Sequence, residues 1–153
     1  MITVQITNRF EEPGTDTVRL TRLVRTICKR FGVSRASISI GIVGDAEMSR
    51  LNRQFLDHEG TTDSLSFDLS DGPEPEPKVF DLIVNAELAA REAARRGHEA
   101  QAELALYIAH GLLHQLGFDD ATAEQARRMH RTEDEILLRL GYGSVYNGEQ
   151  GAQ

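Results

Sequence analysis

The chain has 153 residues, of which 40% are hydrophobic, enough for one ordinary domain with a real core. No run of about 20 apolar residues is present, Met1-Ile2-Thr3-Val4-Gln5-Ile6 reads as a strand rather than a secretory leader, and the lone Cys28 rules out an intrachain disulfide framework. The net charge of −7 argues against a generic nucleic-acid binder, and the expected setting is the cytoplasm.

Ile2 to Thr7 alternates and predicts a strand, followed by a turn at Glu11-Glu12-Pro13-Gly14. Asp16 or Thr17 can cap a helix that runs to Phe31 and is stopped by Gly32. Ser37 to Val43 is a second strand with Ile38, Ile40 and Ile42 on one face, and Asp45 to Phe55 is a short helix. A polar loop spans Asp57 to Asp63, and Ser64 to Leu69 is a third strand. The prolines at 73, 75 and 77 make the next stretch a solvated loop, and Val79 to Val84 is a short apolar strand. Helices follow from Ala86 to Arg96, from Glu99 to Leu116, and from a capping box at Thr122-x-x-Gln125 to Gly141. This order predicts an α+β fold: a single domain over 1–142, one roughly four-stranded mixed sheet packed by about five helices, and a flexible tail over 143–153.

Charge is unevenly spread. Residues 1–60 carry nine Lys/Arg against seven Asp/Glu, while residues 61–153 carry eight against seventeen. On the first helix, Arg19, Arg22, Arg25, Lys29 and Arg30 share one arc at about 100° per residue, opposite Leu20, Leu23, Val24, Ile27, Cys28 and Phe31. No acidic residue lies between Thr17 and Arg35, so the arc reads as a rigid stripe for phosphates; the plain alternative is a solvated face.

The chemistry concentrates in the segment from Leu106 to Asp120. His110 and His114 are four apart on a helix, share a face, and can chelate one metal at roughly 2.0–2.1 Å. Gly117 can end the helix sharply, and the chain then brings Asp119 and Asp120 around, with carboxylate oxygen an acceptable third ligand. On spacing alone, a metal site and an ordinary helix face stand about equal. Phe118 and Met129 read as core, Cys28 as packing, and His58 and His130 as surface residues.

These residues resemble the YbeY family of metal-dependent endoribonucleases. His110-Gly111-Leu112-Leu113-His114-Gln115-Leu116-Gly117-Phe118-Asp119 matches the family signature H-G-x-L-H-x-x-G-[YF]-D-H through ten positions. Leu51-Asn52 and Thr62-Asp63-Ser64-Leu65-Ser66-Phe67 resemble its L-N-x-x-Y-R and T-D-V-L-S-F segments. Asp81 falls in its G-D-I, Gly97-His98 resembles its G-H-S corner, and the likeness spans about residues 36–142. The resemblance implies single-strand-specific RNA cleavage, with roles in 16S rRNA 3′-end processing and ribosome quality control, and ribosomal particles as partners. It implies one divalent metal per chain, zinc first, on His110, His114 and Asp120, with the two histidines catalytic. His98 falls on a family position and is either close to the metal or simply exposed. Two positions depart: the family's third histidine is Asp120 here, and Leu56 stands where an arginine is usual. A carboxylate in place of an imidazole makes the site more negative and suits iron and other divalent ions as well as zinc. A zinc peptidase would need a glutamate after the first histidine, where Gly111 stands. A ribosome-assembly factor that keeps the fold and metal site with weakened cleavage remains the alternative.

Overall fold

The computed structural model describes residues 1–10 and 15–143. The elements are β1 (Ile2–Asn8), α1 (Thr17–Arg30), β2 (Ala36–Val43), α2 (Asp45–Leu56), β3 (Ser64–Asp68), β4 (Lys78–Asn85), α3 (Ala86–Arg96), α4 (Ala100–Gln115) and α5 (Ala123–Arg139). The expected turn at 11–14 and all but the first residue of the expected tail lie outside the described residues.

The sheet order is β1-β2-β4-β3. β1 and β4 both run parallel to β2, and β3 pairs antiparallel with β4. The sheet is therefore mixed, and the expected α+β class is borne out. The register stacks Ile6, Ile40 and Leu82 across three strands, and Ser66 continues the row on β3. Residues two apart along a strand face the same side, so Ile38, Ile40, Ile42, Phe80, Leu82 and Val84 form one apolar face. That face packs in a single core with Leu20, Leu23 and Ile27 of α1 and Ile108, Leu112 and Leu113 of α4. On the other side a smaller cluster, Val43, Met48, Leu51 and Leu65, sits against Phe67 and Ile83, while Ser37 and Ser39 stay exposed.

Local chemistry sets the element ends. Asp16, rather than Thr17, caps α1 by accepting from the Arg19 N–H, and the Thr122–Gln125 capping box is present at α5. α2 runs one residue past expectation and ends at Asp57, which takes the left-handed conformation at φ 54°. Aspartate tolerates that region better than most residues, but without a glycine the stop was not visible in the sequence. β4 extends to Asn85, whose side chain accepts from the Leu88 N–H and starts α3 without an intervening loop. Cys28 and Met129 are buried, as expected, and Phe118 packs edge-on to Phe31 with ring centroids 5.4 Å apart.

The basic arc of α1 is more occupied than its sequence implies. Arg30 pairs with Glu135 of α5 at 3.1 Å, which corrects the expectation of a stripe without an acidic partner. Arg25 donates to the Ile2 carbonyl at 2.8 Å, and the Arg19 guanidinium lies 3.8 Å from the Tyr142 ring centroid. Arg22 and Lys29 stand exposed on the same helix.

Candidate metal centre

α4 is buried from Ala102 through Ala109 and again from Gly111 to Leu113. A helix this apolar on most sides belongs at the centre of a domain. It lies close on the sheet: a Cβ at Gly111 would stand 3.4 Å from Leu82 Cδ2 and 3.7 Å from Ser66 Cβ. Its polar residues Glu103, Tyr107, His110 and His114 recur at helical spacing and share one face. The first three line a cavity of about 300 Å³, together with Thr62, Asp63, Arg96, His130 and Glu133 among others. His114 continues the face by one turn into solvent.

α4 stops as the glycine predicts. Gly117 has φ 105°, and the Phe118 N–H reaches back to the Leu113 carbonyl at 3.1 Å, closing the helix with a left-handed residue. Asp119 and Asp120 follow on the exposed turn, where the Asp120 N–H donates to Asp119 Oδ1 at 2.7 Å. α5 then returns along α4 and supplies what the signature does not name. Glu133 is 0% exposed, and both of its oxygens are engaged. Oε2 lies 2.6 Å from His110 Nδ1, and Oε1 lies 2.8 Å from His130 Nδ1. The two imidazole centroids are 6.1 Å apart with planes inclined by 16°. His130, expected at the surface, is instead a half-buried member of this cluster, because Glu133 holds it from three residues along the same helix.

The electrostatics follow from this contact. Burial works against a charged His110, but the hydrogen bond and charge of Glu133, with Asp63 and Asp120 adding, together hold its pKa above the ordinary histidine value. Burial also opposes ionised Glu133, and the bonds and charges of His110 and His130 outweigh it, so its pKa falls below the ordinary value. Tyr107 is pushed upward by burial first, then by the charges of Glu103 and Asp63.

A second layer of contacts holds the cavity wall. Glu103, 1% exposed, accepts from His98 Nε2 at 2.5 Å and pairs with Arg96 at 3.5 Å. His98 thus acts on the wall through Glu103. Asn85, fully buried, donates to Asp45 Oδ1 at 2.8 Å, Thr61 Oγ1 at 2.9 Å and the Thr62 carbonyl at 3.2 Å. This network joins α2, α3 and the loop leading to Asp63, whose carbonyl accepts from the Asn85 N–H. Asp81 faces the opposite side of the sheet from Leu82, and burial alone raises its pKa. Leu56 is exposed at the end of α2.

The donor chemistry fits a metal. Among the described residues, His110, His130 and Glu133 each place a ligand atom within 4.8 Å of the others, and two imidazoles with a carboxylate suit zinc or another divalent transition ion. Of the residues singled out in the sequence, His110 lies in this group, while His114 and Asp120 lie outside it. A charged residue amid the apolar stripe Met129, Ile136 and Leu137 is the signal that points to Glu133, since a buried carboxylate needs partners.

A histidine–carboxylate cluster on the central helix of a mixed sheet, beside a solvent-open cavity, places the molecule in the class of candidate metalloproteins with an enzyme-like cleft. A family model described as Endoribonuclease YbeY matches residues 5–141, and the chain belongs to that family. It is similar to the Endoribonuclease YbeY of Anaeromyxobacter sp. (strain Fw109-5), with 36% identity over 118 residues covering 77% of this chain and 62% of that protein. It is also 36% identical over 134 residues to the Acidothermus cellulolyticus protein of that name, covering 78% of this chain and 80% of the relative. The solution structure of a Thermotoga maritima protein shares the fold, with a TM-score of 0.59, 20% identity and 91% of each chain covered.

Proposed function

We propose that this chain is a metal-dependent endoribonuclease that cuts single-stranded RNA, acting in the cytoplasm in 16S rRNA 3′-end maturation and ribosome quality control. The observation that carries this reading is His110, held by the buried Glu133 on the wall of an open cavity, at the first position of the family signature. Among the described residues no helix is long and apolar enough to cross a membrane, consistent with that setting.

His110 and His114 are the proposed first two metal ligands, and sequence position gives the third place to Asp120. A bound divalent ion, zinc first, supplies an acidified water and a Lewis acid for the phosphodiester. The chain's own groups set the stage for that chemistry. Glu133 fixes the His110 ring, and Glu103 with Arg96 and His98 keeps the far wall in shape. Asp63, at the rim and anchored through Asn85, contributes negative charge facing His110. The cavity itself is too acidic to attract RNA by charge, so Arg22 and Lys29 of α1 are proposed as phosphate contacts away from it. With Leu56 in place of the usual arginine, an assembly factor with weakened cleavage is the second reading.

The test is cleavage of a labelled single-stranded RNA and its duplex form by the purified protein, with and without chelator. The proposal expects cleavage of the single strand only, abolished by chelator and restored by zinc. Ribosomal-particle binding without any cleavage at any metal loading would instead establish the assembly-factor reading.

A further inference from the structure

α1 and α5 lie side by side and run in opposite directions. At one end Arg19, in the first turn of α1, donates to the Leu140 carbonyl at the C-terminus of α5, at 3.5 Å. At the other end Phe31, which closes α1, packs on Phe118, whose ring centroid lies 5.5 Å from the Arg128 guanidinium of α5. Between these contacts a hollow of about 640 Å³ is lined by Thr26, Lys29 and Arg30 of α1 and by Glu135, Ile136 and Arg139 of α5. A second hollow of about 330 Å³ shares Thr26 and Lys29 and continues the groove along α1 past Arg22 and Arg25.

In a chain of net charge −7, the two hollows bring together five cations, Arg22, Arg25, Lys29, Arg30 and Arg139, and one carboxylate, Glu135. Glu135 pairs with Arg30 at 3.1 Å and Arg25 donates to the Ile2 carbonyl, while Arg22, Lys29 and Arg139 stand exposed. On α5, Arg128 and Arg139 share an arc with Glu135 at about 100° per residue, so the cations of α1 are joined across the groove by two more. The cavity beside His110 has the opposite balance, with Asp63, Glu92, Glu103 and Glu133 against Arg96. A polyanion is therefore drawn to the groove rather than into the cavity, and guanidinium groups there can take phosphate oxygens in pairs. The groove also leads toward the site. Its Arg128 end lies at Phe118, on the turn that closes α4 one turn of helix beyond the exposed His114.

We propose that the groove between α1 and α5 is the track of the RNA strand, in which Arg139 and Arg128 of α5 hold phosphates opposite Arg22 and Lys29 of α1 and direct the strand to the turn at Phe118. Glu135, the one carboxylate in the track, weakens that grip. This rests on the RNA-cleavage reading above, and it adds α5 to the RNA-binding surface.

The test is binding of a fluorescent single-stranded oligoribonucleotide to the full chain, read by anisotropy across a range of salt, with chelator present so that no strand is cut. Arg139→Gln and Arg128→Gln are each expected to weaken binding about two- to fivefold, the worth of an exposed charge pair, and to reduce the slope of log Kobs against log salt by about 0.7. Glu135→Gln is expected to tighten binding by a similar factor. Arg53→Gln, exposed on α2 across the sheet, removes the same charge and is expected to leave affinity unchanged. Crosslinking with a 4-thiouridine strand, mapped by mass spectrometry, should mark peptides of α1, α5 and the Phe118 turn. Wild-type affinity and slope in both α5 variants, or an equal loss in Arg53→Gln, would overturn the track while leaving RNA cleavage by the wild type standing. Wild-type protein that binds phosphatidylserine vesicles through these arginines and binds no RNA would overturn the track and the RNA-cleavage reading together.

Discussion

Asn85 is a fully buried polar residue whose replacement should cost the fold heavily. Its Oδ1 caps α3 by accepting from the Leu88 N–H at 3.0 Å, and its Nδ2 donates to Asp45, Thr61 and the Thr62 carbonyl. Asn85→Ala removes the cap, worth about 1 kcal/mol, and strips a buried network of its shared donor, worth about 1–3 kcal/mol. The sum is about 3 kcal/mol, which for a domain of this size is roughly 9 °C in Tm. Asn85→Asp keeps an acceptor for the Leu88 N–H but loses the donors and sets a carboxylate against Asp45, so it should also be destabilised. Urea unfolding followed by circular dichroism, with a thermal scan of the same samples, measures both variants. The Asn85→Ala variant should also loosen the Thr62–Asp63 edge of the cavity, visible as faster amide exchange there. An Asn85→Ala protein within about 0.5 kcal/mol of wild type would refute the network as a determinant of the fold.

Asp45 gives a pH dependence. The Arg91 hydrogen bond, with help from Asn85 and Thr61, holds its carboxyl below the ordinary aspartate value of about 3.8. Its stabilising contribution is therefore present above pH 3.8 and is lost as pH falls through the lower folded value. Asp45→Asn should flatten the urea midpoint against pH in that window, and an unchanged slope would contradict the assignment. Leu112, 0% exposed in the core beneath the sheet, should cost about 2–5 kcal/mol on replacement by alanine, measured by urea unfolding. Arg22→Glu with Lys29→Glu should weaken single-stranded RNA binding and reduce the slope of log Kobs against log salt by about 1.4, with metal content unchanged. Equal affinity at low salt would move the RNA path to the rim of the cavity.

The sequence carried the helices and strands because their signals are local. The Asp16 cap, the Thr122–Gln125 box, the glycine at 117 and the apolar period of α1 all act within a few residues. The same locality marked His110 as a candidate ligand, and it lies in the His110, His130 and Glu133 group that could hold a metal. What stayed hidden was tertiary. Glu133 lies 23 residues from His110, and only the return of α5 along α4 brings its carboxylate to that ring. His130 looked like a surface histidine because its neighbours Arg131 and Arg128 are exposed, and its environment depends on the same return. The pairing of Arg30 with Glu135 was hidden for that reason too, which is why the basic arc of α1 read as unopposed. The exception is the glutamate itself, since Met129, Ile136 and Leu137 flank it on the buried side of α5 and mark it as a carboxylate that needs a partner.

The central claim, that His110 anchors a metal required for RNA cleavage, is tested most directly by measuring metal content and single-strand cleavage on the same preparations of wild type and His110→Ala. The account predicts about one divalent ion per chain and chelator-sensitive cleavage in wild type, with both lost in a folded His110→Ala protein. Full cleavage by metal-free wild type, or undiminished metal in His110→Ala, would contradict it.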